Sequence, residues 1–168
     1  MRSDPDAAQT LLTRVLERRD ECSISLRKNA VMMVGTKGDA AAKARLADVV
    51  KNDPSNEVRS SAIGYLARVS GDEIVATLDA VIRNDTEDDG VQRAAVRALG
   101  EHESPRAKAA IRALVERTAA PERLRLEALT GPGQLAGTVY AALGLGIGCA
   151  ERRRGQHAQR PGQHGGHI

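Results

Sequence analysis

One pattern of apolar residues recurs about every 33 residues, and this period constrains the fold more tightly than any single motif. Ala30, Ala62, Ala95 and Ala128 are spaced by 32, 33 and 33 residues, each beside an aliphatic residue: Val31, Ile63, Val96 and Leu129. Leu26, Val58, Val91 and Leu124 precede them in the same register. A second set, Leu12/Val15/Leu16, Leu46/Val49/Val50, Leu78/Val81/Ile82 and Ile111/Leu114/Val115, repeats independently at 34, 32 and 33 residues. Two registers in agreement imply stacked supersecondary units, none of which buries its apolar face alone.

Each unit reads as two short helices. Apolar residues at i, i+3 and i+4 form one stripe of a 3.6-residue helix, and no stretch alternates as a strand would. Asp4-Pro5, Asp53-Pro54 and Ser104-Pro105 place a side-chain acceptor before a proline, the pattern of an N-cap with proline at the first helical position, and Pro121 fits the same slot. Gly35, Gly71 and Gly100 follow second helices, where a left-handed C-terminal residue is expected. The reading is helices near 6–18, 24–34, 40–51, 55–69, 72–83, 89–100, 105–117 and 121–130. This is an all-α solenoid of four helix pairs, about 4–37, 38–70, 71–102 and 103–131, followed by a distinct segment, 132–168.

The run Asp53-Pro54-Ser55-Asn56-Glu57-Val58-Arg59-Ser60-Ser61-Ala62 resembles the Asp-x-x-x-x-Val-Arg-x-x-Ala signature of HEAT repeats, particularly the short bacterial type shared with phycobilisome-lyase-type proteins. The resemblance extends over residues 4 to 131. It implies an aspartate in the turn within each helix pair, capping the second helix, and an arginine bonded to a neighbouring repeat, so that a ladder runs along the stack. Asp20, Asp53 and Asp85 stand at the aspartate place, and Arg27, Arg59 and Arg125 at the arginine place. Gln92 replaces the third arginine, and Ala119-Ala120-Pro121 leaves the fourth unit without an aspartate, so the ladder is expected to break on its C-terminal side.

Composition limits what such a stack buries. The repeats contain neither Phe nor Trp, and Tyr65 is their one tyrosine. A core of Ala, Val, Leu and Ile buries little apolar area per residue, so stability must accumulate from contacts between neighbours. Of 25 Lys+Arg and 22 Asp+Glu, Arg152, Arg153, Arg154, Arg160 and Glu151 lie beyond residue 131, leaving the repeats with 21 of each sign. A neutral solenoid gives no ground for a nucleic-acid groove along the repeats.

Beyond Gly131 the register stops. Residues 131–168 hold ten of the sixteen glycines and three of the four histidines, with no lysine or aspartate. Leu135 to Ala150 is nearly uncharged, but sixteen residues broken by four glycines are short for a membrane span. Two readings remain: a disordered Gly/Arg/His-rich tail, or translation in a shifted frame.

Catalytic chemistry finds little support. His102-Glu103 is a single His-Glu pair, whereas HEAT-like di-iron hydroxylases carry several, so neither a metal nor a cofactor is expected. Cys22 and Cys149 are too far apart in sequence to suggest a framework of disulfides. Met1-Arg2-Ser3-Asp4-Pro5 lacks the apolar core of a signal peptide, which points to the cytoplasm.

The expectation is a non-enzymatic protein-binding scaffold. Its partner would lie on the concave face built from second helices, at Lys28, Met32, Ser60, Gly64, Tyr65, Arg93 and Arg97. The alternatives are an accessory subunit of a lyase-like enzyme complex, and nucleic-acid binding through the basic tail. An uncapped stack also exposes apolar ends through which two copies can pair end to end.

Overall fold

A computed structural model describes residues 5–130, and these residues form eight α-helices with no strand among them. The first pair is α1 (Pro5–Leu16) and α2 (Ile24–Gly35), with a 3-10 turn, Glu21–Ser23, before α2. α3 (Ala40–Asn52) and α4 (Asn56–Leu66), α5 (Asp72–Arg83) and α6 (Asp89–Glu101), and α7 (Pro105–Glu116) and α8 (Glu122–Thr130) complete four pairs. The cap proposed for Asp4, and every expectation for 132–168, lie outside the described residues.

Packing follows the 33-residue period. The second helices α2, α4, α6 and α8 each touch the next, forming one continuous layer, while α3, α5 and α7 make thinner contacts in a second layer. The described residues form an α-solenoid. Among them the apolar core contains only aliphatic side chains: Leu46, Ile63, Leu66, Leu78, Leu99, Ile111 and Leu124 are each at most 1% exposed, with Ala30, Ala62, Ala95 and Ala128 filling the narrow spaces between helices. Alanine at these places lets helices approach closely, and larger side chains would force them apart.

Two details of the punctuation differ from the sequence expectation. Asp53 does not cap α4: the helix begins at Asn56, and Asp53 instead ends α3, where its carboxylate accepts the Ser55 backbone N–H at 2.8 Å. Its side chain is drawn into an ion pair described below, so the cap is given up for a stronger partner. Pro121 precedes α8 by one residue, and its carbonyl accepts the Leu124 and Arg125 N–H groups, so it stands at the cap and not at the first helical position. Ser104-Pro105 does follow the pattern, with the Ala107 N–H donating to Ser104 Oγ at 3.1 Å. Asp39 and Asp88 supply two further caps, to Ala42 and to Gly90 and Val91.

The glycines also serve other ends than expected. The positive φ angles among the described glycines belong to Gly38 (64°) and Gly71 (154°), and Gly71 stands immediately before α5. Gly100 lies within α6. Gly35 closes α2 because the Tyr65 ring packs against it: a Cβ built there would sit 2.5 Å from the ring carbons. The constraint is close approach, not backbone handedness.

Candidate interaction face and interrupted arginine ladder

Successive second helices present equivalent positions side by side. One row runs Lys28, Ser60, Arg93, Leu126, and a turn later a second runs Met32, Gly64, Arg97, Thr130, each spaced by the repeat. Lys28 donates to Glu57 at 3.0 Å, linking α2 to α4, while Arg97 reaches Glu127 at 3.6 Å and Arg123 pairs with Asp89, both linking α6 to α8. These pairs are solvent-exposed on at least one side and each contributes little to stability. Their effect is to hold the rows in register.

The middle of the face is made of small residues. Ser60, Ser61 and Gly64 on α4 stand beside Ala94 on α6, and a Cβ added at Gly64 would meet nothing within 4 Å. Taller side chains flank this floor. Met32 is 45% exposed on one side, and on the other Arg93 projects into solvent with no ion pair among the described residues. Six of the seven positions expected from the sequence therefore fall in these two rows. Tyr65 does not: it is one position further around α4, half-buried against Gly35, with the Arg68 guanidinium 5.8 Å from its ring centre. Glu57, Glu127, Asp89 and Arg123, which cross-link the face, were not legible as site residues. Their signal was an opposite charge one repeat away.

Below this face runs the ladder. Arg27, fully buried, donates to Asp53 through Nε (2.9 Å) and Nη2 (3.2 Å), and through Nη1 to the Asp20 carbonyl and Ser23 Oγ. Both ends of this fork are satisfied, as a buried guanidinium requires. Arg59 makes the second rung, but to Glu87 at 2.7 Å and not to Asp85, which is exposed and outside the rung. The turn explains the change: three residues separate α3 from α4 and five separate α5 from α6, so the acid that lies opposite the arginine shifts along the longer turn.

The third rung is absent, as the sequence implied. Gln92 turns back onto its own unit and donates to the Asn84 carbonyl at 2.8 Å and, weakly, to Ile82 at 3.4 Å. With no acid in the turn before α8, an arginine there would be a buried charge without a partner, whereas a glutamine is satisfied by backbone carbonyls. Arg125 stands at the arginine place of the last unit, its Nε buried and unpartnered. Asp20, at the other end, has the aspartate place but caps nothing; it pairs with Arg18 at 3.0 Å in solvent. The hydrogen bond from Arg18 holds its carboxyl below the ordinary carboxylate value.

Elsewhere the surface offers shallow grooves between first helices. One of about 310 Å³ lies between α1 and α3, lined by Thr13, Leu16, Ala44 and Arg45, and one of about 510 Å³ between α3 and α5, lined by Ala44, Ala47, Ile74 and Thr77. His102 is buried at the end of α6, with Nε2 unpartnered, and Glu103 beside it is exposed. No group of three or more His, Cys, Asp or Glu with metal-binding geometry occurs among the described residues. No helix there is long and apolar enough to cross a membrane.

Four stacked helix pairs, the first three joined by a buried arginine–acid ladder, define a helical-repeat solenoid. The family described as HEAT repeats matches this chain over two overlapping stretches, residues 11–90 and 45–131, and the chain belongs to that family. HEAT repeats are in general protein-interaction scaffolds. No curated protein matches the chain.

Proposed function

We propose that this chain is a non-enzymatic scaffold that holds an acidic segment of another protein along its second-helix face, the concave face of a HEAT-like stack. The observation that carries this reading is the small-residue floor of Ser60, Ser61, Gly64 and Ala94 flanked by the exposed Arg93, which has no ion pair among the described residues. A floor of small side chains lets a partner backbone or helix approach closely, and an exposed arginine at its edge selects carboxylates. Met32 adds an adaptable apolar contact on the opposite rim. The accessory-subunit reading is the same geometry with an enzyme as the bound partner. Nucleic-acid binding through 132–168 draws on nothing in the described residues.

The test is a displayed peptide library panned on the chain, with the Gly64→Trp and Arg93→Glu variants in parallel. Gly64 is exposed on a helix with open space above it, so a tryptophan there fills the floor without disturbing the fold. The expected result is selection of peptides rich in Asp and Glu whose binding is lost in both variants while far-UV circular dichroism is unchanged. Selected peptides that bind both variants as well as the parent chain would refute the assignment.

A further inference from the structure

The two ends of the stack are the two halves of an interface already present inside it. Between units one and two, Arg27 reaches the acid of the following turn, and Tyr65 packs back onto Gly35. Unit one repeats the receiving half of this interface with no occupant among the described residues. Leu26 and Met33, the positions of the buried Val58 and the packed Tyr65 one repeat earlier, are 44% and 52% exposed, and Asp20 offers its carboxylate in the turn before α2. Unit four repeats the donating half. Arg125 is at the place of Arg27 and Arg59, and its side chain, with a buried Nε, makes no hydrogen bond or ion pair among the described residues. Leu129 occupies the position of Val31, Ile63 and Val96, all buried, yet is itself only half-buried.

We propose that a second copy of this chain docks head-to-tail, with Arg125 of one copy forming a ladder rung to Asp20 of the next and Leu129 covered by Leu26 and Met33. This goes beyond the scaffold reading and rests on the ladder alone. Charge complementarity chooses the occupant: the end that lacks an acid carries the arginine, and the end that lacks an arginine carries the acid. Arg18 beside Asp20 does not close the site. Asp53 accommodates two guanidinium groups in the same way, Arg27 bound directly and Arg19 at 3.9 Å. Because the contact joins unlike surfaces, it generates rings or open chains of copies and not an isologous pair.

The experiment is sedimentation of the full chain over a wide concentration range, with Asp20→Arg, Arg125→Asp and the double variant. The expected result is a mass that rises with concentration and does not stop at two copies. Each single variant places like charges at the contact and weakens association about tenfold or more. The double variant restores it with the rung reversed, and mixing the two single variants restores it as well. Hydrogen exchange on the same samples provides the second readout: α8 and the Asp20 turn gain protection together as association proceeds. A monomer at all concentrations overturns the proposal, as does association that survives both single variants. Protection of α8 that is independent of concentration also overturns it, because the cover would then come from the chain's own residues beyond 130.

Discussion

Replacing Asp53 by alanine removes the acceptor from the best-buried rung and leaves the Arg27 guanidinium in place. Arg27 is 0% and Asp53 3% exposed, so water replaces the lost carboxylate only if unit one opens. Breaking a buried pair by deleting one partner costs about 3 to 5 kcal/mol, because the surviving charge keeps its desolvation cost without its attraction. The Asp20 carbonyl and Ser23 Oγ still bind one end of the guanidinium, which places the expected loss near 3 kcal/mol. At roughly 4 °C per kcal/mol for a domain of this size, the melting temperature falls by about 12 °C. Glu87→Ala should cost less, since Arg59 retains 17% of its side-chain surface in water and donates also to Asn56. The assay is urea unfolding followed by far-UV circular dichroism, with Arg27→Met, Asp53→Ala and their combination forming a double-mutant cycle. The pair together should be less destabilised than the sum of the singles by about 2 kcal/mol, since no orphaned charge remains. A loss for Asp53→Ala below about 1 kcal/mol, or additive singles, would refute the claim that this rung is a desolvated ion pair.

Two further perturbations test other joints. Gly35→Ala drives a methyl group into the Tyr65 ring, 2.5 Å from the added carbon, and should destabilise the chain by about 1 to 3 kcal/mol; Tyr65→Ala in the same background should recover part of the loss, checked by thermal melts. Gln92→Leu leaves the Asn84 carbonyl without its side-chain donor and should cost about 1 to 2 kcal/mol in urea unfolding, with hydrogen exchange quickening in the turn between α5 and α6.

Much of this architecture was legible because a repeat reports the same fact several times. The starts of α2, α3, α5, α6 and α7 fall where the apolar register placed them. The end of α4 was overrun: the sequence reads as helix to 69, but the α-helix stops at Leu66, and Arg68 and Val69 donate three residues back, tightening the chain into a turn that periodicity does not distinguish from helix. Asp85 was misread as the ladder acid because a signature counts residues, whereas a rung depends on where a turn of variable length delivers a carboxylate. The floor residues Ser60 and Gly64 were legible through their exposed row. Tyr65 was not, since its burial depends on Gly35 of the preceding unit, thirty residues away.

The substitution at Gln92 has a mechanical consequence. Rungs tie unit one to unit two and unit two to unit three, whereas unit four is joined to unit three by apolar packing and by Arg97–Glu127, Arg123–Asp89 and Arg106–Asp72, pairs that water and salt weaken readily. The stack therefore has a seam. Under heat, tension or protease the expected order is that α7 and α8 part first, while the three pairs ahead of them stay riveted together.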